Sequence, residues 1–303
     1  MTEIHTCNPY DHEGWKACKV CGAFLPSTRA RSIRETSDFP SLGIHPQQII
    51  NTYRTSKFTR RYNPSASYLK YRNALIDWIC HVGEALNFSA LTIHVAVALF
   101  DAALAAKDFP KSSLQSLSLV SLFVAAKSED SDTYLPRFRS LIKYSKHPTA
   151  TLRRMELELL TALKWELSAI TPYHFVQFYI SHGIVYTGDY MRGKHLSEKS
   201  AKYVNKYADF FVEMCLQEYE LTQYTPENIA CACIAAARKA VDIRCVWPLE
   251  LEELTGKKLQ ETCFAKVWDI YQQRFVGGKG SEPKSAEVKR ENPRSSIKSA
   301  IVI

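Results

Sequence analysis

At 303 residues, 46% hydrophobic and 23% charged, the chain has an ordinary globular composition and the length for one large domain or two of common size. Its formal charge of +8 is unevenly spread: residues 1–70 carry ten Lys/Arg against five Asp/Glu, 279–303 carry six against three, and 71–278 carry 23 of each, so the body is neutral and offers no basic stripe to nucleic acid. The most apolar run, LTIHVAVALFDAALAA, is interrupted by His94 and Asp101, and the N-terminus shows no hydrophobic signal segment; the expectation is a soluble intracellular protein with no membrane contact.

Residues 1–45 mix Cys, Gly, Pro, Ser and Arg without period and read as an irregular arm. His5, Cys7, His12, Cys18 and Cys21 suggest zinc, but a second Cys-x-x-Cys is absent, so no metal is expected. Residues 45–62 read as an amphipathic lead-in helix. Helices are then expected at 66–87, 89–106, 111–128, 132–144 and 149–166. Thr171-Pro172 is a helix start, with an N-cap followed by proline at the first helical position, and Thr225-Pro226 repeats it. A second round is expected at 172–182, 196–221, 226–242, 248–255 and 259–276. SLQSLSLVSLFVAAKS in the first round has a counterpart, ENIACACIAAARKAV, in the second; small residues let such helices sit centrally. The fold class is all-α: two similar five-helix units at 46–168 and 169–276, then a disordered basic tail at 277–303. Cys80, Cys215, Cys231 and Cys233 fall inside helical apolar patterns, so the nine cysteines are expected as free thiols.

Four ionisable residues break apolar stripes. Lys127 lines up with Val120, Phe123 and Val124; Glu156 with Leu152, Leu159, Leu160 and Leu163; Arg72 with Leu75, Ile76 and Ile79; Asp101 with Val97 and Leu104. An unpaired buried charge costs several kcal/mol, so each is expected to be paired within the fold or with a partner. Arg72 and Asp101 read as a structural ion pair between consecutive helices. Lys127 could equally cap its helix dipole and reach water, and Glu156 could sit solvated at the stripe's edge.

Together these segments resemble the cyclin family. YRNALIDWI, with Arg72, Leu75, Asp77 and Trp78, resembles the family's first-helix motif; LTIHVAVALFDAAL resembles its second helix; LQSLSLVSLFVAAKSED its third; and RRMELELLTALKWELSAITPYHF its fifth with the opening of the second repeat. In the second half, KYADFFVEMCLQEYELTQYTPENIACACIAAARK keeps the family order more loosely and, with VWP further on, looks closest to the J-type branch. The resemblance covers about residues 46–276. It implies tandem cyclin folds that bind and activate a cyclin-dependent kinase. Lys127 and Glu156 match the pair that grips the kinase, Val124, Leu160, Trp165 and Leu167 match the apolar wall, and Glu129 and Asp130 match the acidic pair that follows. Ser128 stands where an aromatic is usual. A second family surface, docking Arg-x-Leu segments of substrates or inhibitors, maps to Tyr71, Leu75, Trp78, Lys111 and Gln115. There the chain departs from the pattern, with Ala74 for a larger aliphatic and His81 for an acid.

No phosphate loop, paired-carboxylate cleft or nucleophile–base pair is visible, so no catalysis by this chain and no cofactor are expected. An Arg-x-x-Leu degradation signal is not found in the N-terminal arm. Two other readings stay open: the cyclin-fold core of a basal transcription factor, and a scaffold that binds a kinase without activating it. The expected location is the nucleus, the cytoplasm or both.

Overall fold

Small and apolar residues build this molecule's helices, and Ser89, Thr171 and Thr225 open three of them with side-chain caps. Residues 9–12, 15–18, 24–25, 46–56, 58, 63, 66–130, 138–191, 194–196 and 198–276 are described by the structure, a computed structural model. Three short antiparallel strands come first, β1 (Pro9–His12), β2 (Trp15–Cys18) and β3 (Phe24–Leu25), in the order β1-β2-β3. An irregular arm was expected. The signal missed is Glu13-Gly14, a two-residue link of hairpin length between the partners His12 and Trp15.

The lead-in helix α1 (Pro46–Arg54) is shorter than expected. It precedes α2 (Leu69–Ala85), α3 (Ala90–Ala106), α4 (Leu114–Glu129) and α5 (Thr149–Ala162). Ser89 starts α3 as an N-cap, accepting the Thr92 N–H at 3.1 Å. α4 is buried from Leu114 to Ala126 except at Gln115 and packs on α2, α3 and α5. Close approach is literal at Gly83 of α2, where a Cβ would stand 2.7 Å from Ile93 Cγ1. The helix expected at 132–144 is instead a 3-10 segment, Phe138–Tyr144, with 131–137 outside the described residues.

The second round is α6 (Pro172–His182), α7 (Glu198–Leu216), α8 (Pro226–Ala240), α9 (Leu249–Thr255) and α10 (Glu261–Tyr271). Thr171 opens α6 in a capping box in which its own N–H donates to His174 Nδ1 at 3.1 Å. Thr225 caps α8 by accepting the Asn228 N–H. Buried α8 is the counterpart of α4 and packs on α6 and α7. A small hairpin, β4 (Tyr190–Met191) with β5 (Lys194–His195), lies between α6 and α7. The long expected helices split at their ends: α7 gives way to a 3-10 turn at Tyr219–Gln223 and α10 to a π turn at Gln272–Val276.

Polar groups tie distant parts together. Arg54 of α1 donates to Glu227 at 2.5 and 2.9 Å and to the Thr255 carbonyl at 2.9 Å. Lys257 and the Tyr179 hydroxyl complete the Glu227 carboxylate at 2.6 and 2.9 Å. The Tyr53 ring meets Phe175 edge-on at 5.3 Å. The lead-in helix is therefore seated on the second round. Fully buried Arg238 places all its donors, on Asp189 at 2.5 and 2.8 Å and on the carbonyls of Ile184 and Cys245, so its burial leaves no orphan charge. Cys80, Cys215, Cys231, Cys233 and Cys263 are free thiols. Cys245 departs from expectation by being disulfide-bonded.

Candidate functional site

The buried stripe of α4 reaches the surface at its last turn. Val124, Ala125 and Ala126 are buried, whereas Lys127 and Ser128 are exposed. The Lys127 ammonium lies 4.5 Å from the Phe123 ring centroid and pairs with Glu156 Oε1 across the α4–α5 contact. Its side chain is 44% exposed while that of Glu156 is 16% exposed. The acid is thus held by the fold and the base stands at the rim. The pair directs one donor group and one acceptor group to the same place, an arrangement suited to the polar ends of another protein's helix segment.

Apolar surface adjoins the pair. Leu160 and Leu167 are half-buried, and Trp165 is 64% exposed. Val124, on α4 before Lys127, is only 3% exposed. Leu157 of α5 and Ile142 of the 3-10 segment are further exposed apolar residues that were not anticipated from sequence. Leu157 was hidden because it stands one residue off the buried stripe, where a helix pattern reads as solvated. Lys164 and Trp165 adopt left-handed φ values of 52° and 63°. The Trp165 N–H closes α5 on the Leu160 carbonyl at 2.9 Å. Left-handed backbone at non-glycine residues costs about 1–3 kcal/mol each and collects at binding sites.

Ser128 turns its hydroxyl back onto the Ala125 carbonyl at 3.0 Å and onto Glu129 at 3.2 Å, adding no apolar contact. Burial pushes the Glu129 carboxyl above its ordinary range, against the Ser128 hydrogen bond and with help from neighbouring Asp130. Asp130 is engaged internally, accepting from the Thr92 hydroxyl at 3.0 Å.

Arg72 and Asp101 form the expected ion pair, at 2.8 Å. On the outer side of α2, Tyr71, Leu75 and Trp78 are half-buried, with exposed Lys111 and half-buried Gln115 beside them from the start of α4 and the turn before it. The zinc candidates of the N-terminal arm fall outside the residues whose side chains are described. Among the described residues, no group of three His, Cys, Asp or Glu could hold a metal and no helix is long and apolar enough to cross a membrane. A cavity between the two rounds, bounded by Arg72, His94, Asp101 and Thr171, lies away from Lys127; a surface that receives a helix is open, and enclosure is no marker for it.

Residues 47–168 match the family described as cyclin, N-terminal domain, and residues 170–295 the cyclin, C-terminal domain. Among curated proteins the chain is similar to cyclin-J of Xenopus laevis, at 30% identity over 69% of this chain and 54% of that protein. The chain spans about half the length of the curated relatives it matches. Among solved structures it is similar to a viral cyclin from herpesvirus saimiri, with a TM-score of 0.60 at 16% identity, covering 74% of this chain and 97% of that one. It is also similar to a chain of the yeast RNA polymerase II CTD kinase complex, with a TM-score of 0.53 at 13% identity, covering 77% and 74%.

Proposed function

This chain belongs to the cyclin family, a regulatory kind of protein, and from that premise we propose that it binds a cyclin-dependent serine/threonine kinase and activates it, without catalytic chemistry of its own. The observation that carries the reading is the Lys127–Glu156 pair at the exposed end of the buried helix α4, bordered by Leu160, Leu167 and outward-standing Trp165. A kinase whose regulatory helix is mobile gains activity when that helix is held inward, so that its glutamate meets the lysine that positions the ATP phosphates. The groove supplies apolar contact for such a helix, and the ion pair supplies charge-assisted hydrogen bonds to the main chain entering it. Glu129 and Asp130 border the same end of α4. Similarity to a chain of a kinase complex supports the type of partner. The proposal places the protein in the nucleus or cytoplasm, where such kinases work.

The test is co-purification of kinases with the full chain from lysate, followed by a kinase assay on the eluate. Kinase recovered with activity that depends on Lys127 supports the proposal; loss of neither binding nor activity in Lys127→Ala and Glu156→Ala variants overturns it. Ser128 favours a second reading, a scaffold that binds without activating, because it withholds apolar surface beside the ion pair; inactive kinase in the eluate would select it.

A further inference from the structure

Two thiols outside the proposed kinase groove face each other inside the second round. Cys215, near the end of α7, and Cys233, in the middle of α8, place their sulfurs 3.6 Å apart. A disulfide needs about 2.04 Å, so each sulfur has roughly 0.8 Å to travel, which small side-chain rotations cover. The two differ in their surroundings. Of the described free thiols Cys80, Cys215, Cys231, Cys233 and Cys263, Cys215 alone borders the cavity between the two rounds. That cavity measures about 50 Å³, several times the roughly 10–15 Å³ that admits one water, so a small neutral oxidant fits in it. Cys233 is fully buried, and burial above all, with the hydrogen bond to Cys215 adding to it, pushes its thiol well above the ordinary value. Cys231 precedes Cys233 by two residues on α8 and so points to another side of the helix, while the Cys263 thiol donates to the Asn228 carbonyl at 3.7 Å.

We propose that Cys215 and Cys233 are an oxidation site: a small peroxide entering the cavity oxidises Cys215, and Cys233 closes a disulfide that ties α7 to α8. In the first step the Cys215 sulfur, as thiolate, attacks one peroxide oxygen. The S–O bond forms, the O–O bond breaks, and the departing hydroxide takes up the thiol's proton as water. The Cys233 sulfur then attacks the Cys215 sulfur; the S–S bond forms, the S–O bond breaks, and the second hydroxide leaves as water with the Cys233 proton. Two thiols lose two electrons and one peroxide becomes two waters. The bond stands next to Leu216 and Gln217, whose carbonyls accept from Arg72, so oxidation acts where α2 is fastened to the second round. A dithiol reverses it, and in a thiol-rich compartment such a bond is transient and serves sensing.

The purified full chain is treated with hydrogen peroxide and its remaining thiols are blocked with iodoacetamide. It is then cut, without reduction, by a glutamate-specific protease, which cleaves between the two cysteines at Glu218, Glu220 and Glu227, and the peptides are mapped by mass spectrometry. A Cys215–Cys233 linked peptide, two hydrogens lighter than its two parts and removed by dithiothreitol, is the expected result. Cys233→Ser takes away the second thiol and is expected to leave Cys215 as a sulfenic acid that dimedone traps; Cys215→Ser is expected to leave Cys233 a free thiol. Thermal unfolding checks the fold of both variants, and the parent's linked peptide is read without either. The disulfide of Cys245 is present before treatment and is told apart in the untreated chain. Peroxide that leaves both thiols free, oxidises Cys233 in the Cys215→Ser variant, or links Cys215 or Cys233 to a different cysteine overturns the proposal.

Discussion

The Arg72 guanidinium grips the Asp101 carboxylate through Nε at 3.0 and 3.2 Å and Nη2 at 2.8 Å, and with its remaining donors reaches the Leu216 and Gln217 carbonyls where α7 ends. One side chain thus joins α2, α3 and the second round. Arg72→Ala leaves Asp101 mostly buried without its countercharge, and breaking such a pair costs about 3–5 kcal/mol. Urea unfolding is expected to show a loss of that size. Arg72→Lys should recover only part of it, because an ammonium cannot serve carboxylate and carbonyls in the same fork geometry.

Lys127 and Glu156 should behave differently. The lysine is nearly half-exposed, and ion pairs in such settings contribute about 0–1 kcal/mol to stability. Glu156→Ala is therefore expected to unfold within about 1 kcal/mol of the parent, and Lys127→Ala, which leaves the largely buried Glu156 carboxylate without its countercharge, to lose about 1–3 kcal/mol, while both lose kinase co-purification. Calorimetry and pull-down on the same preparations read the two effects separately.

Ser128 is exposed beside that pair and spends its hydroxyl on the Ala125 carbonyl and Glu129. Replacing it by phenylalanine adds apolar surface to the groove without removing a buried partner. At roughly 25 cal/mol per Å², covering about 50 Å² of that ring would tighten kinase binding by about 1 kcal/mol, a little under tenfold. Titration of Ser128→Phe against the co-purified kinase checks this, and unchanged affinity would mean the groove does not extend over position 128.

Acid should release the lead-in helix. Burial alone would raise the Glu227 carboxyl, but hydrogen bonds from Arg54, Lys257 and Tyr179 outweigh it and hold the group below its ordinary value. A depressed carboxyl contributes stability that is present above the unfolded value, about 4.3, and is lost as pH falls through the folded one. Asp209 and Glu250 are raised by burial and act in the opposite sense, so the readout must be local. Hydrogen exchange across residues 46–54 is expected to accelerate below about pH 4.3, and Arg54→Ala should be accelerated already at neutral pH.

Much of this organisation was legible because it rests on local rules. The small-residue runs ending at Lys127 and Lys239 predict the central helices α4 and α8, and the two Thr-Pro starts place α6 and α8. Charges interrupting apolar stripes predicted the Arg72–Asp101 contact, since a buried charge demands a partner, whereas the stripes alone left Lys127 and Glu156 open to solvated readings and their pairing was implied by the family resemblance. The same logic applied to Arg238, inside ACACIAAARKA, would have flagged its pairing with Asp189. Glu227 and Arg54 were beyond its reach. They lie 173 residues apart, and Arg54 sits on a short helix whose periodicity points to no particular neighbour.

The seat of α1 also has a consequence in time. Its anchor at the Thr255 carbonyl lies 201 residues downstream of Arg54, and at about 5–20 residues per second a ribosome takes roughly 10–40 s to travel that far. Early in that interval the apolar side of α1 has no native seat, and once α6 emerges it has only the Tyr53 contact with Phe175, without the polar anchors at Glu227 and Thr255. The nascent chain is thus most open to misassembly and to chaperones before α9 emerges, and completion of α9 is the event that lets the lead-in helix lock.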